Sequence, residues 1–235
     1  MNNCRFSPNS NGTLHLGHIF TILFNEQFAH QSGGKFYIRF DDSNQAVALE
    51  MDKPERVTTI IESQQNDIEW LGIKVDGWYQ QSNLIEETHE IMKKCKKFIW
   101  VDDPYPHDMP ISVKMGRLWV AFPYAPLLTA ERVIMDNMLG ITHVIRGDEF
   151  LTEYSLYRYF CDIFDIPAPK FVFLPRLEGR IGDISKTNGG YTLAELRANG
   201  YNAEYVIDLL KTSCLLWYNN GWTLYNLKEN PRINL

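Results

Sequence analysis

The sequence has no paired cysteines. Cys4, Cys95, Cys161 and Cys214 stand far apart, with no CxxC or CxC spacing. That excludes a zinc cluster and a secreted disulfide framework, and predicts reduced, mostly buried thiols. Long hydrophobic runs are missing too: the longest falls far short of a membrane span, and residues 1–10 carry no signal-peptide core. A soluble cytoplasmic protein with no membrane partner is therefore expected. Basic charge is not in excess. With 23 Lys and Arg against 29 Asp and Glu the net charge is −6, so no general attraction to nucleic acid operates and any phosphate binding must come from a local site. Repeats and low-complexity segments are absent, which excludes solenoids and disordered tails. What remains is an ordinary globular composition, 45% apolar over 235 residues, enough for one large domain or one domain with a modest insertion.

Periodicity organises the first third. Cys4-Arg5-Phe6 reads as a short strand leading into the turn-rich loop Ser7-Pro8-Asn9-Ser10-Asn11-Gly12. Leu16, Ile19, Phe20, Leu23, Phe24 and Phe28 follow at helical spacing, stopped by Gly33-Gly34. Phe36 to Phe40 alternates as a strand ending at Asp41-Asp42. Residues 54–71 read as a helix with Val57, Ile60, Ile61, Gln64 and Ile68 on one face. Strand, helix, strand, helix implies right-handed parallel crossovers. A third helix is expected from Leu84 through Phe98, with Lys93, Lys94, Lys96 and Lys97 a solvated face rather than an RNA patch. Residues 102–110 hold three prolines and cannot be regular. Strands at 118–122, 142–146 and 171–174, a helix at 153–164, and two short helices between 194 and 216 broken near Gly200 complete an open α/β sheet interrupted in its middle.

In such sheets ligands lie past the carboxyl ends of strands, where helix N-termini point into a crevice. The loop after the first strand delivers Thr13-Leu14-His15-Leu16-Gly17-His18 to a helix start, whose N–H groups and dipole favour an anion. His15 and His18, three apart, lie on one side of the first turn and can reach one phosphate chain. Gly17 lets a base or ribose approach the backbone. Two histidines in one turn are, alone, more often surface groups; the strand and the Pro/Asn/Gly loop before them raise the reading. The second feature is Arg180-Ile181-Gly182-Asp183-Ile184-Ser185-Lys186-Thr187-Asn188-Gly189-Gly190, a glycine-bounded loop whose lysine can bring a point charge to a developing pyrophosphate. Order and separation, rather than either motif, make the pair specific.

Further segments occur in one order: Arg39-Phe40-Asp41-Asp42-Ser43-Asn44, Trp70-Leu71-Gly72, Tyr79-Gln80-Gln81-Ser82, and Gly140-Ile141-Thr142-His143-Val144-Ile145-Arg146-Gly147-Asp148-Glu149. With the HxGH helix start, and Ile184-Ser185-Lys186 at the place of a KMSKS loop, the chain from Arg5 to about Leu210 resembles the glutamyl/glutaminyl-tRNA synthetases. These are class I enzymes that form an aminoacyl-adenylate from ATP and pass the acyl group to tRNA. The resemblance implies a Rossmann-like open parallel sheet with a short central insertion and a small C-terminal helical segment. It implies catalysis by His15, His18 and Lys186, and ATP binding by His15, Gly17, His18, Ser185 and Lys186. It implies an amino-acid site of Arg5, Ser7, Asp41 and Arg146, use of ATP with Mg²⁺, and no protein-held metal site. The partners it implies are glutamate or glutamine and a tRNA, on a monomer.

The chain also departs from the family. Asn9 replaces a substrate-contacting side chain, Asp183 the first lysine of the mobile loop, and Leu128 a pocket tyrosine that Tyr124 would otherwise supply; Arg132 stands for an asparagine. An added buried charge alters which ligand is tolerated or calls for a partner. The expected division is 1–82 and 124–190 as the two halves of the nucleotide-binding domain, 83–123 as a shortened acceptor-end insertion, and 191–235 as a helical segment, with no anticodon-binding domain. Without those platforms an acidic protein binds tRNA weakly. The alternatives are a degenerate paralogue that binds ATP or tRNA, and an adenylate-forming ligase with a non-tRNA amine acceptor.

Overall fold

The computed structural model describes residues 1–42, 54–100, 111–115, 118–122, 124–174 and 192–213. In chain order these form β1 (Cys4–Phe6), α1 (Leu16–Gln31), β2 (Phe36–Phe40), α2 (Pro54–Trp70), β3 (Gly77–Gln80), α3 (Gln81–Lys93), β4 (Phe98–Trp100), β5 (Ile111–Met115), β6 (Leu118–Phe122), α4 (Tyr124–Met138), β7 (His143–Gly147), α5 (Tyr154–Phe164), β8 (Lys170–Leu174), α6 (Leu193–Ala198) and α7 (Ala203–Ser213). A 3-10 turn, Asp148–Glu153, joins β7 to α5.

One sheet has the order β3-β2-β1-β7-β8 and is parallel throughout. It is the Rossmann-like open α/β sheet the sequence predicts. Strand order reverses between β1 and β7, and in sheets of this kind ligands bind outside the carboxyl ends of the strands at such a point. Alternation along each strand sends side chains to two faces. Cys4, Phe36, Ile38, Phe40, Ile145, Val172 and Leu174 join the core beneath α1, α2, α6 and α7. Tyr37, Val144, Phe171 and Phe173 join a second core with α4 and α5. Both faces are therefore covered, as a parallel sheet requires. Arg5 pairs in register with Tyr37, so Arg5 and Arg39 point to the second face, under α4.

β4, β5 and β6 form a separate antiparallel sheet within the interruption. Here the expectation needs correction. The third helix starts at Gln81 and stops at Lys93, not Phe98, because the β-favouring run Phe98-Ile99-Trp100 pairs with Ile111–Met115 instead of continuing the helical spacing. β3 was not expected either: it is a short edge strand with every residue half-buried, so no apolar alternation marks it. The lysines after Met92 are exposed, as expected. Residues 102–110, Ser43-Asn44, the loop at 180–190 and residues 214–216 lie outside the described residues. Cys4 and Cys161 are buried free thiols and Cys95 is a half-buried one. No described helix is long and apolar enough to cross a membrane.

Candidate active site

The mouth of the first crossover is built by its two histidines. His15 caps α1: its Nδ1 accepts the Gly17 backbone N–H at 3.1 Å, while His18 Nδ1 accepts the His15 backbone N–H at 3.4 Å. The rings stack with centroids 3.6 Å apart. A Cβ on Gly17 would lie 3.1 Å from the His15 ring, so glycine is what lets that ring fold over the cap. With Nδ1 accepting, the neutral form of each ring carries its proton on Nε2. Burial, then the neighbouring His15, lowers His18 to about 4. At neutral pH His18 is therefore an uncharged donor. Beside this turn the chain returns from beyond β8: Leu193 N–H donates to Leu14 O at 3.1 Å, and Thr192 bridges His15. Lys186 lies outside the described residues, six positions before Thr192.

Below the mouth, on the second face, Asp136 of α4 collects four donors. Arg5 gives Nε and Nη2 at 3.0 and 2.9 Å, Arg39 gives Nη1 at 2.9 Å, and Tyr157 gives its hydroxyl at 2.8 Å. All four side chains are buried. Burial alone would raise the Asp136 carboxyl, but Arg5, Arg39 and the hydrogen bonds of Arg5 and Tyr157 overcome it and hold it below its ordinary value. Burial, then Asp136, pushes the Tyr157 phenol well up. Arg5, expected at the amino-acid site, thus spends its Nε and Nη2 donors on Asp136.

A second cluster runs along the carboxyl ends of β2 and β7. Asp41 Oδ2 accepts Arg132 Nη2 at 2.8 Å; Arg132 Nη1 lies 3.9 Å from Glu153 Oε2, which also accepts Arg146 Nη1 at 3.1 Å. Arg146 sits over the Phe150 ring, 3.7 Å from its centre. Burial, then Arg5, lowers the Arg146 guanidinium to about 10 against the pull of Glu153, so it stays charged. Asp41 Oδ1 and Ser7 Oγ are buried with no hydrogen-bond partner among the described residues. Orphaned buried oxygens at a crevice are what a ligand donor would satisfy.

Sequence reasoning placed His15, Gly17, His18, Asp41 and Arg146 on these ends of the sheet. It missed Asp136 and Tyr157 as the anchors of Arg5, Glu153 as the bridge between arginines, and Gln64 as a support. Gln64, taken only as a position on the apolar face of α2, donates Nε2 to Asn9 O and Gly12 O at 2.9 and 2.6 Å and so pins the loop before α1. A glutamine among buried aliphatics was the available signal. Leu128 is buried in α4, and among the described residues no group of three His, Cys, Asp or Glu side chains is arranged to hold a metal.

The family model for tRNA synthetases class I (E and Q), catalytic domain, matches residues 3–99 and 124–217 and omits 100–123, most of the antiparallel insertion. A glutamate–tRNA ligase of Pyrococcus abyssi is 30% identical over 252 residues, 79% of this chain and 43% of its own length. One of Caulobacter vibrioides is 26% identical over 258 residues, 85% of this chain and 53% of its own length. The chain thus spans about half the length of the curated relatives it matches. Among solved structures, a glutamate–tRNA synthetase of Elizabethkingia anophelis superposes with a TM-score of 0.57 at 20% identity, covering 85% of this chain and 54% of the other. A structure described as a putative arginyl synthetase of Campylobacter jejuni superposes at 0.58 with 12% identity, covering 87% of this chain and 61% of the other. The matched residues include the helix start, the Asp136 knot and the Asp41 cluster, and on that match the chain belongs to the family of class I tRNA synthetases of the E and Q type, through their catalytic domain.

Proposed function

We propose that this chain activates a glutamate- or glutamine-type amino acid with ATP and passes the acyl group to a tRNA acceptor. In the first step a carboxylate oxygen of the acid bonds to the α-phosphorus of ATP, and the bond to the β-phosphate oxygen breaks, releasing pyrophosphate. In the second, an acceptor hydroxyl attacks the acyl carbon and AMP leaves. The observation that carries the reading is the helix start itself. Two imidazoles share one stack there, with Nδ1 used by backbone and the ring proton on Nε2, beside orphaned Asp41 and Ser7 oxygens.

His15 and His18 hold phosphate oxygens through N–H donors placed before reaction, and Gly17 admits the nucleotide to the backbone. Lys186 and Ser185, on the segment that ends at Thr192, steady the leaving pyrophosphate. Ser7, Asp41, Arg146 and the remaining edge of Arg5 hold the amino acid. Positioning and electrostatics suffice, so no protein nucleophile is invoked. Any Mg²⁺ would be supplied with ATP, where it would neutralise charge on the phosphates. Residues 1–82 and 124–190 act as the two halves of the nucleotide-binding unit, 83–123 as a reduced acceptor-end insertion and 191–235 as a helical appendage on a monomer. With a net charge of −6, tRNA is held weakly.

Pyrophosphate exchange, run across the standard amino acids with and without total tRNA, tests this. Exchange is expected with glutamate or glutamine. His18→Ala and Lys186→Ala are each expected to lower kcat roughly 100-fold or more while the KM for ATP moves far less, since both groups act mainly as charge builds. Exchange with no acid under either condition, while ATP still binds, would replace the enzyme by a nucleotide-binding paralogue. An acyl group found on a non-tRNA amine would replace the acceptor.

A further inference from the structure

Arg132 is out of place in a pocket built to hold an amino acid. Asp41 is 2% exposed at the carboxyl end of β2, where a buried carboxylate attracts a ligand cation. Yet its Oδ2 already holds the Arg132 guanidinium at 2.8 Å. Oδ1 has no partner among the described residues, but a lone carboxylate oxygen whose charge is spent needs a donor, not a cation: a hydroxyl or water serves it as well as an ammonium. On the other side, Arg132 and Arg146 both face Glu153, at 3.9 and 3.1 Å. The Glu153 side chain is 37% exposed, against 20% and 19% for the two arginines. The most exposed member of the trio is thus a carboxylate lying between two half-buried guanidinium groups, the place a ligand carboxylate would take.

We propose that Arg132 is a specificity-determining residue, an internal cation that stands on Asp41 in place of a ligand ammonium and turns the pocket into a receptor for carboxylate groups, with Glu153 as its resident occupant. The pocket then reads its acid through Arg132 and Arg146 and depends little on an α-ammonium. The inference rests on the reading of this pocket as the site of a glutamate-type acid and sharpens which parts of that acid are read. The charge count agrees. Among the described residues that these ion pairs join, Arg5, Arg39, Arg132 and Arg146 face Asp41, Asp136 and Glu153, four cations against three anions. When Glu153 swings out, the excess becomes two positive charges, which favours a dianionic ligand over one carrying its own ammonium.

Calorimetric titration of the whole chain with L-glutamate and with glutarate, which lacks only the ammonium, decides it. The two affinities are expected to lie within about fivefold of one another, the ammonium gaining little beside a neutralised carboxylate. Arg132→Asn, which frees Asp41, is expected to widen the preference for glutamate by roughly tenfold or more, the scale of one charge-assisted hydrogen bond. Arg132→Lys keeps the cation and is expected to keep the wild-type ratio. Glu153→Gln removes the resident carboxylate and is expected to tighten both ligands together. A wild-type preference for glutamate above fivefold overturns the assignment even if Arg132→Asn does not fold. So does an unchanged ratio in an Arg132→Asn protein that melts cooperatively. Failure of both ligands to bind the wild-type chain overturns the glutamate-type reading of the pocket, and the role of Arg132 with it. A preference for glutamate above fivefold overturns the role of Arg132 alone.

Discussion

Asp136 and Asp41 are nearly equally buried, at 1% and 2% exposed, and both are paired to arginine. They are held in opposite ways. Asp136 takes four donors on two oxygens, and its partners come from two strands and one helix, so with Asp136 itself on α4 the knot ties β1, β2, α4 and α5 together. Among the described residues Asp41 has one side-chain donor on one oxygen and none on the other, and its partner Arg132 is tied outward to the half-exposed Glu153. Burial of a charge does not by itself separate structure from function. Saturation does: the carboxylate with nothing left to accept fixes the fold, and the one with capacity to spare is where a ligand can enter.

The largest way to break that comparison is to remove each charge without changing volume. Asp136→Asn leaves Arg5 and Arg39 buried with no carboxylate between them and is expected to cost about 3–5 kcal/mol in urea unfolding, as a broken buried pair does. Asp41→Asn keeps a hydrogen-bonding oxygen for Arg132, which retains Glu153, and is expected to cost about 1 kcal/mol. Equal losses would mean that both clusters are structural and that the orphaned Asp41 oxygen marks nothing.

The two regions also differ in how far they were legible before the structure. The rim lies in local motifs: His15, Gly17 and His18 share one turn, Asp41 ends an alternating strand, and Arg146 sits in another. α1, β2 and β8 were readable because their periods are long and clean. The knot is non-local, joining Arg5 to Asp136 across 131 positions. Finding it requires the register Arg5↔Tyr37 and the face to which that register turns each side chain. The short strands β3 and β4 escaped for the same reason: their stability comes from a pairing partner, not from a pattern within their few residues, whereas β5 does alternate, Ile111, Val113 and Met115 against Ser112 and Lys114. Arg132 was visible as a foreign charge, but its partner was not.

Acid sharpens the comparison next, because of the two clusters only the rim holds a histidine. His18 is lowered to about 4 in the folded chain, against about 6.5 when unfolded. Between these values the unfolded chain binds the proton and the folded one does not. The His18 contribution is therefore full above about pH 6.5, falls by up to about 1.4 kcal/mol per pH unit, and is gone below about pH 4, a total of up to about 3 kcal/mol. Asp136, held below its ordinary value, keeps its contribution across that window and loses it only as pH falls further, through the ordinary carboxylate value toward its folded one. His143 is lowered by burial as well, so His18→Gln is expected to reduce the slope of stability against pH between 6.5 and 4 by about one proton rather than abolish it. An unchanged slope would place the titrating group away from the helix start.

The smallest effect concerns the bond between rim and scaffold. Gln64 Nε2 serves two carbonyls, of Asn9 and Gly12, while its own Oε1 finds no partner among the described residues. Gln64→Leu removes the shared donor but also the orphaned acceptor, so the two terms offset and a global loss of only about 1 kcal/mol is expected. The local effect is larger than the global one. The loop at 9–12 loses its tie to α2 while Ser10 N–H still donates to Asp41 O, so amide exchange at Ser10 should accelerate with little change in α4, where the knot sits. Acceleration of equal size in α4 would mean that loop and knot open as one unit, and that the division between a saturated interior and an available rim does not hold in the dynamics.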